Sequence, residues 1–108
     1  MLLKNEDDLL PLKPGQRVAL IGDFAQTPRY QGAGSSSVNA TRVDNLKDAA
    51  EADDITLAGF CAGYERSGTP NPAFVEEAAA LARKADVVVL CMGLDEIKES
   101  EGIDRADM

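Results

Sequence analysis

Histidine is absent from this 108-residue sequence, and cysteine occurs only twice, as Cys61 and Cys91. Without histidine, the chain by itself holds no Ser-His-Asp or Cys-His catalytic set and no histidine-based zinc site. The spacing of the two cysteines fits no metal-binding motif, and each lies in or beside an apolar run. We therefore predict two buried free thiols, with a disulfide as the alternative.

Long apolar runs and clusters of basic residues are also missing. No stretch approaches the roughly 18 consecutive apolar residues of a membrane span. No basic segment followed by an apolar one opens the chain, so the expected compartment is the cytoplasm. The 11 basic residues are outnumbered by 19 acidic ones, which gives a net charge of −8. That balance disfavours nucleic acids and anionic membranes as partners, because both bind clustered Lys and Arg.

Signatures of phosphate binding are absent as well. Gly22 ends the first apolar run, but the three spaced glycines of a dinucleotide site do not follow it. Residues 28–39 are rich in Gly and Ser, yet they lack the Gly-Lys-Ser/Thr ending of a phosphate loop. We therefore expect no cofactor. Composition favours a flexible surface loop for this stretch, and the alternative is a segment whose glycines permit close approach by a ligand or another chain.

What the sequence does contain is an alternation of apolar strands and amphipathic helices. The strand-like runs are bounded by turn residues, and the segments between them carry apolar residues at helical spacing. Thr41 is a suitable N-cap for the first helix, and Asn71 or Pro72 begins the second. The predicted elements are strands at residues 16–22, 54–61 and 86–92 and helices at residues 41–52 and 73–84.

The order β-α-β-α-β predicts an α/β fold, a three-layer sandwich around a parallel sheet with right-handed crossovers. A chain of 108 residues is one domain or less, and we interpret it as the incomplete half of a larger domain. Five leucines lie within the first 12 residues, and exposure of so many apolar side chains to water is unfavourable. They therefore predict a packing partner that is missing from this chain, or self-association. They are Leu2, Leu3, Leu9, Leu10 and Leu12.

The residues that follow the third strand are rich in acids. The acids are Glu96, Glu99, Glu101 and Asp104. In open α/β sheets the functional crevice lies beyond the carboxyl ends of the strands, where this segment begins. Carboxylates there suit three roles: a solvated face, ligands of a magnesium ion, or a general acid in sugar hydrolysis. Spacing alone selects none of them, although Lys98 and Arg105 among the acids count against the ion.

Three separated segments of the chain resemble glycoside hydrolase family 3. Residues 2–12 contain Leu-Leu-Lys-Asn-Glu and Leu-Pro-Leu, similar to the family's passage into its second domain. Residues 17–36 contain Arg-Val-Ala-Leu-Ile-Gly and Tyr-Gln-Gly-Ala-Gly-Ser-Ser, similar to a strand and Gly-Ser loop of that domain. Residues 99–105, Glu-Ser-Glu-Gly-Ile-Asp-Arg, resemble the family's acidic loop. Two departures are Ala33, where a third glycine is common, and Ala40, where proline is frequent.

This resemblance implies that the whole protein is a retaining, exo-acting β-glycosidase, similar to β-glucosidases, that hydrolyses terminal β-linked sugars of glucosides or oligosaccharides. Such enzymes resemble an N-terminal (β/α)8-type barrel followed by an α/β sandwich. Residues 1–15 are then expected to connect from the barrel, and residues 16–108 to form part of the sandwich. The nucleophilic aspartate would belong to the missing barrel, so this chain alone is expected to be inactive.

The same resemblance implies an acid/base role for one glutamate of the loop. The Glu-Gly-x-Asp-Arg pattern places that role on Glu101, whereas an alignment with a shorter acidic loop places it on Glu99. Asp104 and Arg105 are then expected to pair and to shape the loop. An alternative of another class is a stand-alone flavodoxin-like or receiver-like binding module whose acidic loop holds a cation.

Overall fold

The computed structural model describes residues 1–100 and residue 102. Two short 3-10 helices, Asp23–Ala25 and Gly34–Ser36, lie between the first strand and the first helix. None of the helices in this part of the chain has the length and apolar character to cross a membrane. The main elements in order are β1 (Arg17–Ile21), α1 (Leu46–Ala52), β2 (Thr56–Cys61), α2 (Pro72–Ala82) and β3 (Val87–Leu90).

The three strands form one parallel sheet in the order β2-β1-β3, which confirms the predicted parallel α/β fold. Residues 18–21 of β1 are all buried, so the most deeply apolar strand lies in the middle of the sheet. The chain moves from β1 to β2 in one direction across the sheet and from β2 to β3 in the other. Crossovers between parallel strands follow a right-handed rule, and for this strand order that rule puts α1 and α2 on opposite faces, as in a three-layer sandwich.

The predicted start of α1 is wrong. Residues 41–44 are not helical, and the helix begins at Leu46 with Asn45, not Thr41, as its N-cap. The Asn45 side chain accepts a hydrogen bond from the Asp48 amide at 2.8 Å and donates one to the Asp48 carboxylate at 2.9 Å. This paired cap satisfies the amide groups of the first turn, which Thr41 is too far away to reach.

The second helix begins as predicted. Asn71 caps it by accepting a hydrogen bond from the Phe74 amide at 3.3 Å, and Pro72 occupies the first turn. Proline is favoured there because it has no amide hydrogen to leave unpaired. The helix ends at Ala82, two residues before the predicted end, and β2 likewise begins at Thr56, two residues after its predicted start.

The third strand differs from its prediction as a buried strand. Val87 is buried, whereas Val88 and Leu90 are 45% and 55% exposed. Within the described residues β3 pairs only with β1, so it is an edge strand there and one of its faces is uncovered. Leu2, Leu3, Leu9 and Leu10 are exposed too, whereas Leu12 is half-buried. What covers them stays a prediction, as does the division of the chain at residue 15.

Both cysteines are free thiols, as predicted, but the predicted burial is complete only for Cys61. Cys61, at the end of β2, is buried, and Cys91, directly after β3, is half-buried. Removal from water raises the pKa of both thiols, because burial disfavours the charged thiolate. Neither is therefore an activated nucleophile at neutral pH.

At the amino ends of the strands, a carboxylate connects β1 to β3. Asp86 accepts hydrogen bonds from the Arg17 amide at 2.8 Å and from the Arg17 guanidinium at 3.3 Å. These bonds, the backbone one first, hold the pKa of Asp86 below its ordinary value. Because the pKa is lower in the folded state, the carboxylate stabilises the fold above its unfolded-state pKa. This contribution is lost as the pH falls through the folded-state pKa.

We expect an NMR titration to give Asp86 a depressed carboxyl pKa in the folded chain. In an Arg17→Met variant that pKa should rise but stay below the ordinary value, because the backbone amide still donates. An Asp86→Asn variant should lose less stability than the wild type as the pH falls from about 5 through the folded-state pKa of Asp86. An ordinary pKa for Asp86 in the wild type would contradict the hydrogen-bonded geometry.

Candidate active site

The candidate site lies at the carboxyl edge of the sheet, between β1 and β3. The strand order β2-β1-β3 reverses direction at this point, because β2 and β3 lie on either side of β1. Open α/β sheets bind ligands in the crevice that such a reversal leaves beyond the strand ends. We name it the switch-point crevice and define it by residues 22–29 after β1 and residues 91–99 after β3.

The two strands leave the sheet in close contact at the base of this crevice. Gly22 follows β1 with a φ of 120°, and a Cβ at this position would lie 2.0 Å from the carbonyl oxygen of Cys91. The Cys91 amide donates to the Ile21 carbonyl at 2.7 Å, which extends the ladder to this point. Only glycine allows this approach, because any side chain would meet backbone atoms.

A layer of side chains from the loop after β2 closes one side of the crevice. The Tyr64 hydroxyl donates to the Cys91 carbonyl. The Arg66 guanidinium lies 4.3 Å from the centre of the Phe24 ring and donates to the Asp23 carboxylate. Burial, followed by the negative charge of Asp23, raises the pKa of Tyr64. Asp23 is thus engaged in an ion pair, and this layer holds the crevice together.

The acidic segment after β3 begins as an ordered turn. The Asp95 carboxylate accepts from the Lys98 amide at 2.8 Å, and the Asp95 carbonyl accepts from the Glu99 amide at 3.2 Å. The Lys98 ammonium donates to the carbonyl of Ser67 at 3.1 Å, which attaches the turn to the loop after β2. The turn is therefore held from within and from a neighbouring loop.

Arg29 attaches the same turn to the loop after β1. Its guanidinium donates to the carbonyl oxygens of Leu94 at 3.5 Å and Glu99 at 3.4 Å. The Nε atom of Arg29 is buried and has no hydrogen-bond acceptor among residues 1–100 and 102. Arg29 also lines two clefts. The first is lined by Phe24, Pro28, Arg29, Met92, Gly93 and Leu94.

The second cleft lies between the Gly-Ser loop, residues 28–39, and the acidic segment after β3. Its lining residues are Pro28, Arg29, Tyr30, Gln31, Gly32, Ser37 and Glu96. The loop makes its own hydrogen bonds, among them one from the Val38 amide to the Gln31 side chain at 2.9 Å. The loop therefore faces one of the predicted acids, Glu96, across an open cleft.

The predicted acid/base candidates have different positions relative to the described residues. Glu99 is exposed, ends the turn after β3 and makes further contacts. Glu101, Asp104 and Arg105 lie outside the described residues, so their predicted roles stay predictions. Among residues 1–100 and 102, no three acidic or cysteine side chains converge to form a metal site. The cation-binding alternative therefore finds no support in the described part of the loop.

Sequence reasoning missed Tyr64, Arg66 and Arg29. Their partners lie 27 to 70 residues away in the chain, so no local pattern shows the contacts. The sequence held one weak signal. Each of these residues lies in a loop that follows a strand, and in an open α/β sheet those loops surround the crevice at the carboxyl ends of the strands.

Comparisons with known proteins agree with one another. Residues 1–108 match the family model described as the glycosyl hydrolase family 3 C-terminal domain. The chain is 43% identical to thermostable beta-glucosidase B of Acetivibrio thermocellus, covering 100% of this chain. It is 42% identical to an exo-alpha-(1->6)-L-arabinopyranosidase of Bifidobacterium breve, covering 97% of this chain.

A solved structure extends the agreement to three dimensions. The chain is similar to the GH3 beta-glucosidase of Bifidobacterium adolescentis, with a TM-score of 0.86 and 40% identity over 96% of this chain. The chain spans 15% of the length of that structure and 15% of each of the two relatives above. The order β2-β1-β3 also begins the flavodoxin-like arrangement, so topology alone left the binding-module alternative open, and these comparisons disfavour it.

Proposed function

The chain belongs to glycosyl hydrolase family 3, as part of its C-terminal domain, and we propose that the whole protein is a retaining, exo-acting β-glycosidase of the β-glucosidase type. The observation that carries this proposal is the 43% identity to thermostable beta-glucosidase B along the full chain. The relatives are several times longer, which supports a preceding barrel domain that supplies the nucleophile.

In the proposed reaction, this chain supplies the acid/base and the barrel supplies the nucleophilic carboxylate. The nucleophile attacks the anomeric carbon while the acid protonates the leaving oxygen, and a covalent glycosyl-enzyme forms. The acid, now a base, then activates the water that releases the sugar. Retention requires the two carboxyl groups to stand about 5–5.5 Å apart, so the position of the acidic loop decides the rate.

We assign the acid/base role to Glu101, with Glu99 as the alternative. The described turn supports this assignment because it starts the acidic segment at the switch-point crevice, where α/β sheets place reacting groups. The Gly-Ser loop and Glu96 line a cleft beside that turn, where hydroxyl and carboxylate groups are available to sugar hydroxyls. The proposed substrates are β-glucosides or oligosaccharides with a terminal β-linked sugar.

The stereochemistry of the first product tests this proposal. We expect the whole protein to release the β-anomer of glucose first from an aryl β-glucoside, as seen by proton NMR before mutarotation. The isolated 108-residue chain should release no sugar, because it lacks the nucleophile. Initial release of the α-anomer would contradict the retaining mechanism, and no hydrolysis of any aryl glycoside by the whole protein would contradict the proposed activity.

A second candidate substrate is an α-L-arabinopyranoside, favoured by the 42% identity to the arabinopyranosidase of Bifidobacterium breve. The two similarities are nearly equal, so this chain does not decide between the sugars. Comparison of kcat/KM for p-nitrophenyl β-D-glucopyranoside and p-nitrophenyl α-L-arabinopyranoside separates them. We expect the glucoside to be the better substrate, and the reverse order would favour the second candidate.

A further inference from the structure

We propose that Arg29 is a positioning residue for the acid/base, an inference that rests on the proposed function. Its guanidinium holds the turn at residues 94–99, which contains Glu99 and precedes Glu101 in the sequence. Arg29 acts through the backbone of the turn and is not itself a catalytic residue.

The geometry of the contact carries this proposal. One planar guanidinium donates to the carbonyls of Leu94 and Glu99, which stand at the two ends of the turn. A group that bonds both ends fixes the turn in position and orientation, which a single hydrogen bond does not do. Glu99 is itself one acid/base candidate, and the other, Glu101, follows it by two residues. Displacement of the turn therefore displaces Glu99, and it displaces the residue from which the chain continues toward Glu101.

Arg29 is held in place by the rest of the crevice. Arg66 donates to the carbonyl of Thr27 and to the carboxylate of Asp23, and so it fixes the backbone just before Pro28 and Arg29. The Nε–H of Arg29 is buried, so the side chain does not lie free in solvent. A path of contacts therefore runs from Arg66 in the loop after β2, through Arg29 in the loop after β1, to the turn at residues 94–99.

The chemistry of the contact suits an acid/base loop. Arg29 bonds carbonyl oxygens, which are neutral, so these hydrogen bonds hold the backbone whether the acid is protonated or ionised. A glycosidase needs both forms, since the same group acts first as acid and then as base. The tether from Lys98 to Ser67 is separate, because it joins the turn to a different loop.

Leaving-group dependence in the whole protein tests this proposal. The variant is Arg29→Gln, and the matched control is Arg42→Gln, which removes an arginine with an exposed ion pair to Asp44. For Arg29→Gln we expect kcat/KM on an alkyl β-glucoside to fall about 10- to 100-fold, because displacement by about 1 Å costs this much. For 2,4-dinitrophenyl β-glucoside the fall should be under about threefold, because this leaving group needs no proton.

Hydrogen exchange gives a readout that does not depend on turnover. Amides of residues 94–99, including that of Glu99, should exchange faster in Arg29→Gln and at the wild-type rate in Arg42→Gln. Equal loss on both substrates, or unchanged exchange in this segment, overturns the positioning role. Faster exchange with no change in leaving-group dependence overturns it too, because the turn would then be held without consequence for the acid. Failure of the wild type to hydrolyse either substrate is observed first, and it overturns the proposed function and this inference with it.

Discussion

Glu101→Ala in the whole protein is expected to lower kcat/KM for an alkyl β-glucoside by about 10²–10⁴-fold, the range that general acid–base catalysis contributes. An alkoxide is a poor leaving group, so cleavage of its bond to the sugar depends on protonation by the acid. A 2,4-dinitrophenolate leaves without a proton, so formation of the glycosyl-enzyme from that substrate should be nearly as fast as in the wild type.

The second half of the reaction provides an independent check on the same variant. Without the base, water attacks the glycosyl-enzyme slowly, and this intermediate should accumulate from the dinitrophenyl substrate. Azide is a nucleophile that needs no base, so it should restore turnover and yield a glycosyl azide of retained configuration. The wild type, which has its base, should show no such acceleration.

Glu99→Ala is the matched comparison, since Glu99 is two residues away in the same acidic segment. If Glu99→Ala shows the leaving-group dependence and the azide rescue while Glu101→Ala hydrolyses both substrates like the wild type, the acid/base is Glu99. Loss of both activities to the same degree in Glu101→Ala would instead indicate damage to the loop.

The parallel sheet was predictable because local signals agree with it. Apolar strands and amphipathic helices alternate along the chain, and Asn71 with Pro72 is a strong helix start. The start of α1 was harder, because Thr41 has the residue type of a good cap and was predicted as one. The cap observed in the structure is Asn45, whose side chain forms reciprocal hydrogen bonds with Asp48.

The position of β3 at an edge was not predictable from its residues. A β-branched run is suited to burial on both faces, but its composition does not tell which segments cover it. Val88 and Leu90 are exposed in a chain that spans 15% of the length of its relatives. The composition of β3 therefore predicted that the strand is suited to burial. The described part of the chain buries Val87 but leaves Val88 and Leu90 exposed.

The location of the candidate site was open to prediction from the sequence, but its long-range contacts were not. The rule for open α/β sheets directs attention to the ends of β1 and β3, where the crevice lies. The contacts of Arg29 with Leu94 and Glu99 join residues 65 and 70 positions apart, and no periodicity encodes such pairs. Long-range pairs of this kind depend on the register of the strands, which the structure supplies.

Gly22→Ala is expected to lower the free energy of unfolding by more than about 3 kcal/mol, because two effects add at this residue. The φ of 120° is strained for any residue with a Cβ, and that Cβ would lie 2.0 Å from the carbonyl oxygen of Cys91. The atom it meets is the backbone carbonyl that accepts a hydrogen bond from the Tyr64 hydroxyl, and the amide of the same residue donates to the Ile21 carbonyl. Relief therefore requires β1 and β3 to separate at their carboxyl ends.

Gly15→Ala separates these two effects, since Gly15 has a φ of 83° with no heavy atom within 4 Å of its added Cβ. It should lose only about 1 kcal/mol, from backbone strain alone. Urea unfolding followed by circular dichroism measures both losses. In the whole protein, Gly22→Ala should also slow hydrolysis of alkyl and dinitrophenyl glucosides alike, because separation of the strands disturbs the whole crevice. If the two alanine variants unfold at the same urea concentration, the expectation is contradicted. The backbone around Gly22 and Cys91 would then move enough to accommodate a methyl group at little cost.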